Sequence, residues 1–288
     1  MQIHEIEARS VLVPSKLPDA DYVVNPYTGC EFGCLYCYAS FMGRFVHEPT
    51  ANWGNYVYVK TNAVSVFADE LRRWSPERRT ASLLLSSVTD PYHGVESTYR
   101  LTRGILAVLA REAYPGRVSI LTKSPLVLRD VDVLQQIPHA TVGMTVTTTD
   151  DQLSRFLEVR VPLASRRLKT LLQLHTAGLH TYAFVGPLLP HFRYQPALLD
   201  ALFASLAAVG VQSVYVEHLN LKPYIKQRLW ETLQHASTEV QAVYSSASTT
   251  VHRQALHAMV MELVGKYKLR LNLAEVLYHR QEHGSATE

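Results

Sequence analysis

The sequence predicts an α/β protein built on a parallel sheet. Three observations carry that expectation: apolar β-type runs alternate with helical patterns about six times, polar residues gather just after the runs, and no linker-like stretch divides the 288 residues. The first strand is expected over 82–88, Ser-Leu-Leu-Leu-Ser-Ser-Val. A helix over 100–113 follows, because Leu101, Ile105, Leu106, Val108 and Leu109 recur at helical spacing. A strand over 118–122, a helix over 130–136 and a strand over 141–146 come next. The helix at 165–176 is stopped by Ala177-Gly178. A strand over 181–185, a helix over 196–209 and a strand over 213–216 complete the series. Six such units are too few for a closed eight-stranded barrel and enough for a partial (β/α)6 one. Residues 222–240 and 250–268 read as helices, with a short strand within 268–273. The expected organisation is an irregular lead-in over 1–20, a core over 21–220, and a helical extension over 221–288 packed on it.

Composition bounds the function classes. Hydrophobic residues are 47% and charged residues 18%, which excludes intrinsic disorder as the main state. The net charge of +3 is too small to argue for nucleic acid alone. No apolar run is long enough to cross a bilayer, and the opening Met-Gln-Ile-His-Glu-Ile-Glu lacks the apolar stretch of a signal peptide. A soluble cytoplasmic protein is expected.

Thr89-Asp90, Lys123, Thr147 to Asp150 and Glu217-His218 follow successive strands. In parallel α/β folds the site lies outside the carboxyl ends of the strands. Each residue alone could equally cap the next helix; four groups in succession favour a cleft.

The cysteines are three, Cys30, Cys34 and Cys37, all within eight residues. An odd count argues against a disulfide framework and fits a metal site in a reducing compartment. A structural zinc would need a fourth ligand, for which His47 is the nearest candidate. A [4Fe–4S] cluster held by three thiolates would keep one iron open to a small molecule. Gly29 and Gly33 suit a loop that wraps closely around inorganic sulfur.

The spacing of Cys30, Cys34, Tyr36 and Cys37 resembles the C-x3-C-x-aromatic-C motif of the radical S-adenosylmethionine (SAM) superfamily. Further blocks resemble its spore photoproduct lyase-related branch: Asn25-Pro26-Tyr27-Thr28-Gly29, Tyr38-Ala39, Ser87-Val88-Thr89-Asp90-Pro91-Tyr92 with Glu96, and Leu174-His175-Thr176-Ala177-Gly178 before Gly186-Pro187. Glu217-His218-Leu219-Asn220-Leu221-Lys222 is the last. The resemblance implies a partial barrel of the radical SAM type, a [4Fe–4S] cluster on the three cysteines, and SAM cleaved to a radical that abstracts hydrogen from a substrate. It implies a lyase-like or oxidoreductase class and a reductase such as flavodoxin or ferredoxin as electron source.

The resemblance also assigns roles. Tyr36 is expected near the SAM adenine, Thr89 and Asp90 near the SAM amino group, and Ser87 among the cofactor-binding residues. Lys123 would meet the SAM carboxylate, and Thr145 and Thr147 the ribose. Core packing for Tyr36, an ordinary solvated lysine at 123, and simple β-propensity for the threonines are the plainer alternatives. In spore photoproduct lyase a cysteine near position 87 returns a hydrogen atom; Ser87 stands there here, and no fourth cysteine exists. That argues against authentic spore photoproduct lyase activity and excludes an auxiliary cysteine-ligated cluster. Tyr92 and Tyr99 are candidate replacements as hydrogen donors. Arg72-Arg73, Arg78-Arg79 and Arg166-Arg167-Lys169 leave nucleic-acid binding open as an alternative, although such pairs are commonly solvated helix faces.

Overall fold

The computed structural model describes residues 1–278. Among the described residues eleven strands form two sheets. The smaller joins β1 (Gln2–Ile6), β5 (Tyr56–Lys60) and β4 (Tyr27–Gly29), with β5 central. The larger runs in the order β11 (Arg270–Leu271), β10 (Ser213–His218), β9 (His180–Leu188), β8 (Ala140–Thr145), β7 (Val118–Thr122), β6 (Leu83–Leu85), β3 (Tyr22–Val24) and β2 (Leu12–Pro14). All its ladders are parallel except β2 with β3. No ladder joins β11 to β2 among the described residues, so the sheet is open. The first twenty residues thus supply two strands, not the irregular lead-in expected. Edge pairing, which leaves little hydrophobic signature, decides them.

The described residues form ten α-helices: α1 (Ala63–Arg72), α2 (Glu96–Tyr99), α3 (Leu101–Arg111), α4 (Val131–Leu134), α5 (Asp151–Leu157), α6 (Ala164–Thr176), α7 (Pro196–Ala208), α8 (Pro223–Leu233), α9 (Thr238–Ser246) and α10 (Thr250–Lys266). The sequence pattern located β6 to β11 but missed β1 to β5 and α1. It also drew 82–88 too long: Ser86 turns to φ 64° and ends β6 after Leu85. The expected helix at 222–240 is two, because Ser237 starts α9 by accepting from the Val240 amide. Residues 279–288 of the expected extension lie outside the described residues. No described helix is long and apolar enough to cross a membrane.

Along β7 and β10 buried and half-buried residues alternate. The fully buried set, such as Val118, Ile120, Val214 and Val216, packs under the helices. The half-buried set, Ser119, Leu121, Tyr215 and Glu217, faces the other side with Phe184 of β9. Aromatic rings line it: Tyr215 lies 5.3 Å from Tyr182 and 6.3 Å from Phe184, centroid to centroid.

A candidate metal and cofactor site at the strand ends

The cysteine loop leaves β4 through Gly29, whose φ of 90° only glycine adopts without strain. A Cβ there would also stand 2.5 Å from the Tyr56 carbonyl oxygen. Gly33, at φ 63°, lies against Gly54. Backbone bonds then fold the loop on itself, with the Cys37 amide donating to the Cys34 carbonyl at 3.2 Å. Cys30 and Cys34 are buried and Cys37 half-buried, all as free thiols.

Burial pushes all three thiols upward, Cys34 to about 12. Asp90 and the other two thiols add to the effect on Cys30, and Lys123 opposes it at Cys34 and Cys37. Three thiols that resist ionisation become thiolates when bound positive iron offsets the charge, since coordination deprotonates a thiol outright. Among the described residues no three His, Cys, Asp or Glu side chains surround one point as ligands of a single ion would. A four-iron cluster asks for something different, because each cysteine binds its own iron. The donor set fits such a cluster: three thiols on one glycine-hinged loop, with cations beside them.

Those cations are Lys123 and Arg228. The Lys123 ammonium lies 5.9 Å from the centroid of the Tyr36 ring. Burial works against its charge, yet Cys34, Glu158 and Cys37 outweigh that and hold its pKa above the ordinary value. The Arg228 guanidinium donates to the Cys34 carbonyl at 3.3 Å.

Behind the loop sits a fully buried polar cluster. The Tyr36 hydroxyl donates to the Glu158 carboxylate. Arg167 pairs with the same carboxylate, reaches Ser154 Oγ at 2.7 Å and donates to the Thr145 carbonyl at 2.8 Å. Ser154 Oγ donates to the Glu158 carboxylate at 2.9 Å, and Thr147 Oγ1 donates to it at 3.4 Å. Burial would raise the Glu158 carboxyl, but Arg167, Lys123 and the Tyr36 hydrogen bond hold it below its usual value.

The structure brings Tyr36, Lys123, Thr145 and Thr147 together beside the cysteine loop, in partly different company from that expected. Thr147 faces a carboxylate, and the Thr145 carbonyl is taken by Arg167. Asp90 is buried and serves three protein donors: Thr122 Oγ1 at 2.6 Å, the Lys123 amide at 2.8 Å and the Tyr92 amide at 2.9 Å. The Thr89 hydroxyl donates to the Gly29 carbonyl, tying the end of β6 to the start of the cysteine loop. The Ser87 amide donates to Asn25 Oδ1 at 3.1 Å, and its carbonyl accepts the Tyr38 hydroxyl. Asp150 caps α5, accepting from the Gln152 and Leu153 amides, so the plainer reading holds there. Tyr92 is buried beside Asp130 and Glu96, and Tyr99 reaches Glu5 at 2.7 Å; neither hydroxyl is turned to the cysteine loop.

Glu158, Arg167 and Arg228 escaped the sequence reading as site residues. The sequence groups Arg167 with Arg166 and Lys169 as a basic cluster, but the structure buries Arg167 fully. Its signal was helical register, because Arg167, Leu171 and Leu174 share one face of α6. Of the other basic pairs, Arg72 meets Asp69 and Arg79 meets Glu112, and Arg78 stacks over Trp74 at 4.7 Å.

The model of the radical SAM superfamily matches residues 24–201. An uncharacterized protein of Methanocaldococcus jannaschii is 34% identical over 190 residues, covering 66% of this chain and 69% of its own. An uncharacterized protein of Mycobacterium tuberculosis is 32% identical over 286 residues, covering 92% and 81%. A radical SAM Nα-GlyT isomerase of Pseudomonas phage M6 is 24% identical and covers 68% of this chain and 38% of its own. Among solved structures, spore photoproduct lyase complexed with dinucleoside spore photoproduct superposes with a TM-score of 0.71 over 93% of this chain and 81% of that one, at 15% identity.

Proposed function

Because the chain belongs to the radical SAM superfamily, we propose that it is an enzyme whose Cys30, Cys34 and Cys37 hold a [4Fe–4S] cluster and whose strand ends bind SAM. When bound, the pair supplies a 5′-deoxyadenosyl radical for hydrogen abstraction from a substrate, in a lyase-like or oxidoreductase reaction. The observation that carries the reading is three thiols, two buried and one half-buried, on one loop that meets the strand ends at Thr89 and Lys123. In this reading the open sheet is a partial (β/α)6 barrel, and residues beyond 220 extend it. Its half-buried inner face is the chamber where substrate and SAM meet.

The chain's own residues prepare that chamber. Burial of the loop excludes water from the thiolates. Lys123 and Arg228 offset negative charge at Cys34 and Cys37. In this reading Lys123, half-buried at the end of β7 and 5.9 Å from the Tyr36 ring, meets the SAM carboxylate, and the Tyr36 ring, tied to Glu158, packs near the adenine. Asp90 and Thr122 lock the Lys123 backbone. The setting is cytoplasmic, and a reductase such as flavodoxin or ferredoxin delivers the electron. Anaerobic reconstitution tests the reading: iron and sulfide analysis, then addition of SAM and dithionite, should give 5′-deoxyadenosine. Absence of bound iron sinks it.

A second reading, nucleic-acid binding or DNA repair, draws on the fold shared with spore photoproduct lyase complexed with dinucleoside spore photoproduct. The basic pairs give it little support, since Arg72 and Arg79 are paired with acids and Arg167 is buried. DNA affinity that falls steeply with salt would favour it.

A further inference from the structure

The outer side of the cysteine loop carries a feature that the chamber does not use. The end of α5 and the turn after it lie across the loop. The Leu35 amide donates to the Leu157 carbonyl at 3.0 Å, and the Arg160 amide donates to the Phe32 carbonyl at 3.2 Å. The Arg160 guanidinium grips the loop again, at the carbonyls of Glu31 and Gly54 and at Asn55 Oδ1, 2.9 Å away. Loop and turn are therefore one rigid unit, and whatever touches the turn is two short hydrogen-bonded steps from Cys34.

That turn is not built for solvent. Phe156 is 43% exposed and Val159 is 41% exposed. Val159 also sits at φ 23°, a backbone region that a β-branched residue enters only under strain. Such strain persists where surrounding contacts over-determine it, commonly at functional surfaces. Arg155 donates to the Val159 carbonyl at 2.8 Å and Arg160 stands beside it, so two exposed cations flank the two exposed apolar side chains. A cavity of about 210 Å³ opens next to them, lined by Leu35, Val159, Arg160 and Arg228. Its one acid, Glu231, accepts from Gln227 at 3.2 Å. Arg228 lies at the back and donates to the Cys34 carbonyl. Small apolar centre, cationic rim and direct backbone contact with the cysteine loop are the properties of a transient docking face for an acidic partner.

We infer that the Arg155–Phe156–Val159–Arg160 face is where an acidic one-electron carrier protein docks to reduce the cluster from outside the chamber. The inference rests on the cluster assigned above. The step is a single outer-sphere transfer: the carrier's cofactor is oxidised by one electron, the cluster is reduced by one, and no atom moves. Placing entry on the outer side lets the chamber stay closed around SAM while the electron arrives.

The test uses reconstituted holoprotein without SAM and follows bleaching of the cluster absorbance. Flavodoxin hydroquinone is the protein donor and dithionite the small one. Arg155→Glu should slow reduction by flavodoxin at least tenfold at low ionic strength, with the difference fading near 1 M salt, where the Debye length is about 3 Å. Phe156→Ser should slow it at every salt concentration. Both variants should match the wild type with dithionite and in iron content. Equal flavodoxin rates for wild type and both variants would overturn the docking face alone. A wild-type protein that binds no iron would overturn the cluster and this inference together.

Discussion

Tyr36 and Glu158 are 122 residues apart in sequence, yet the Tyr36 hydroxyl donates to the Glu158 carboxylate in the interior. The residue just before the third cysteine is thereby tied to the end of α5, and through Arg167 to α6. A buried carboxylate is tolerable only because Arg167, Ser154 and Tyr36 satisfy it together. Removing one member strands the others.

Glu158→Ala should therefore destabilise the protein by about 3–5 kcal/mol, the cost of leaving a buried guanidinium unpaired. Tyr36→Phe should cost roughly 1–3 kcal/mol, since only a hydrogen bond to a charged group is lost. Urea unfolding measures both. The double change Glu158→Gln with Arg167→Met should be milder than the sum of the single ones, because the charges disappear together. Additive losses would show that the pair does not act as a unit.

Each of Cys30→Ala, Cys34→Ala and Cys37→Ala should lower bound iron and remove the broad visible absorbance of the reconstituted protein. The fold should survive, because alanine fills part of each buried site and the backbone bonds of the loop do not involve sulfur. Full iron content in all three variants would mean that the thiols are not ligands. Gly29→Ala should produce a similar loss with all thiols intact, because its Cβ would meet the Tyr56 carbonyl.

These two predictions mark what was legible in the sequence. The cysteine spacing and glycines are local, so they could be read directly. The alternation of apolar runs gave the parallel units, because strand and helix periods differ plainly. Glu158 and Arg167 were not legible as a pair, since nothing local says that two charged residues will share one interior site. Asp90 was legible as important and illegible in role. A buried carboxylate after a strand serves a ligand or the backbone alike, and only the positions of Thr122 and the Lys123 amide separate the two.

Histidines govern the acid side of stability. His93 is wholly buried against Tyr27, ring centroids 4.6 Å apart, with neither ring nitrogen bonded. Burial holds its pKa down to about 3, and holds His191 and His218 down to about 4, against an ordinary 6.5. In the unfolded chain these rings take up protons as pH falls through 6.5, while the folded ones stay neutral. Stability is therefore full above pH 6.5 and falls as pH drops toward 4, by up to about 1.4 kcal/mol per histidine per pH unit. Urea unfolding at a series of pH values between 7.5 and 5 should show that slope. His93→Phe keeps an aromatic ring and should remove about one proton from it. An unchanged slope in that variant would show that His93 is protonated in the folded state.

The last prediction separates two roles for Asp90. If its carboxylate chiefly held the SAM ammonium, Asp90→Asn would weaken SAM by about one to two decades and leave the empty protein as stable as before. The structure gives both oxygens to the chain: Oδ1 to Thr122 and the Tyr92 amide, Oδ2 to the Lys123 amide. An asparagine turns an NH2 group toward at least one of these donors, so a buried donor is left unsatisfied at a cost of roughly 1–3 kcal/mol. The expected outcome is a loss of stability measured without SAM, with SAM affinity of the folded fraction changed by less than tenfold. Thr122→Val should reproduce part of the stability loss, because it removes one donor and keeps the carboxylate. Its effect on SAM should be smaller still, since Asp90 and the Lys123 amide remain paired. If Asp90→Asn unfolds like the wild type yet binds SAM tenfold or more weakly, the carboxylate faces the ligand after all, and the latch between the ends of β6 and β7 is incidental to it.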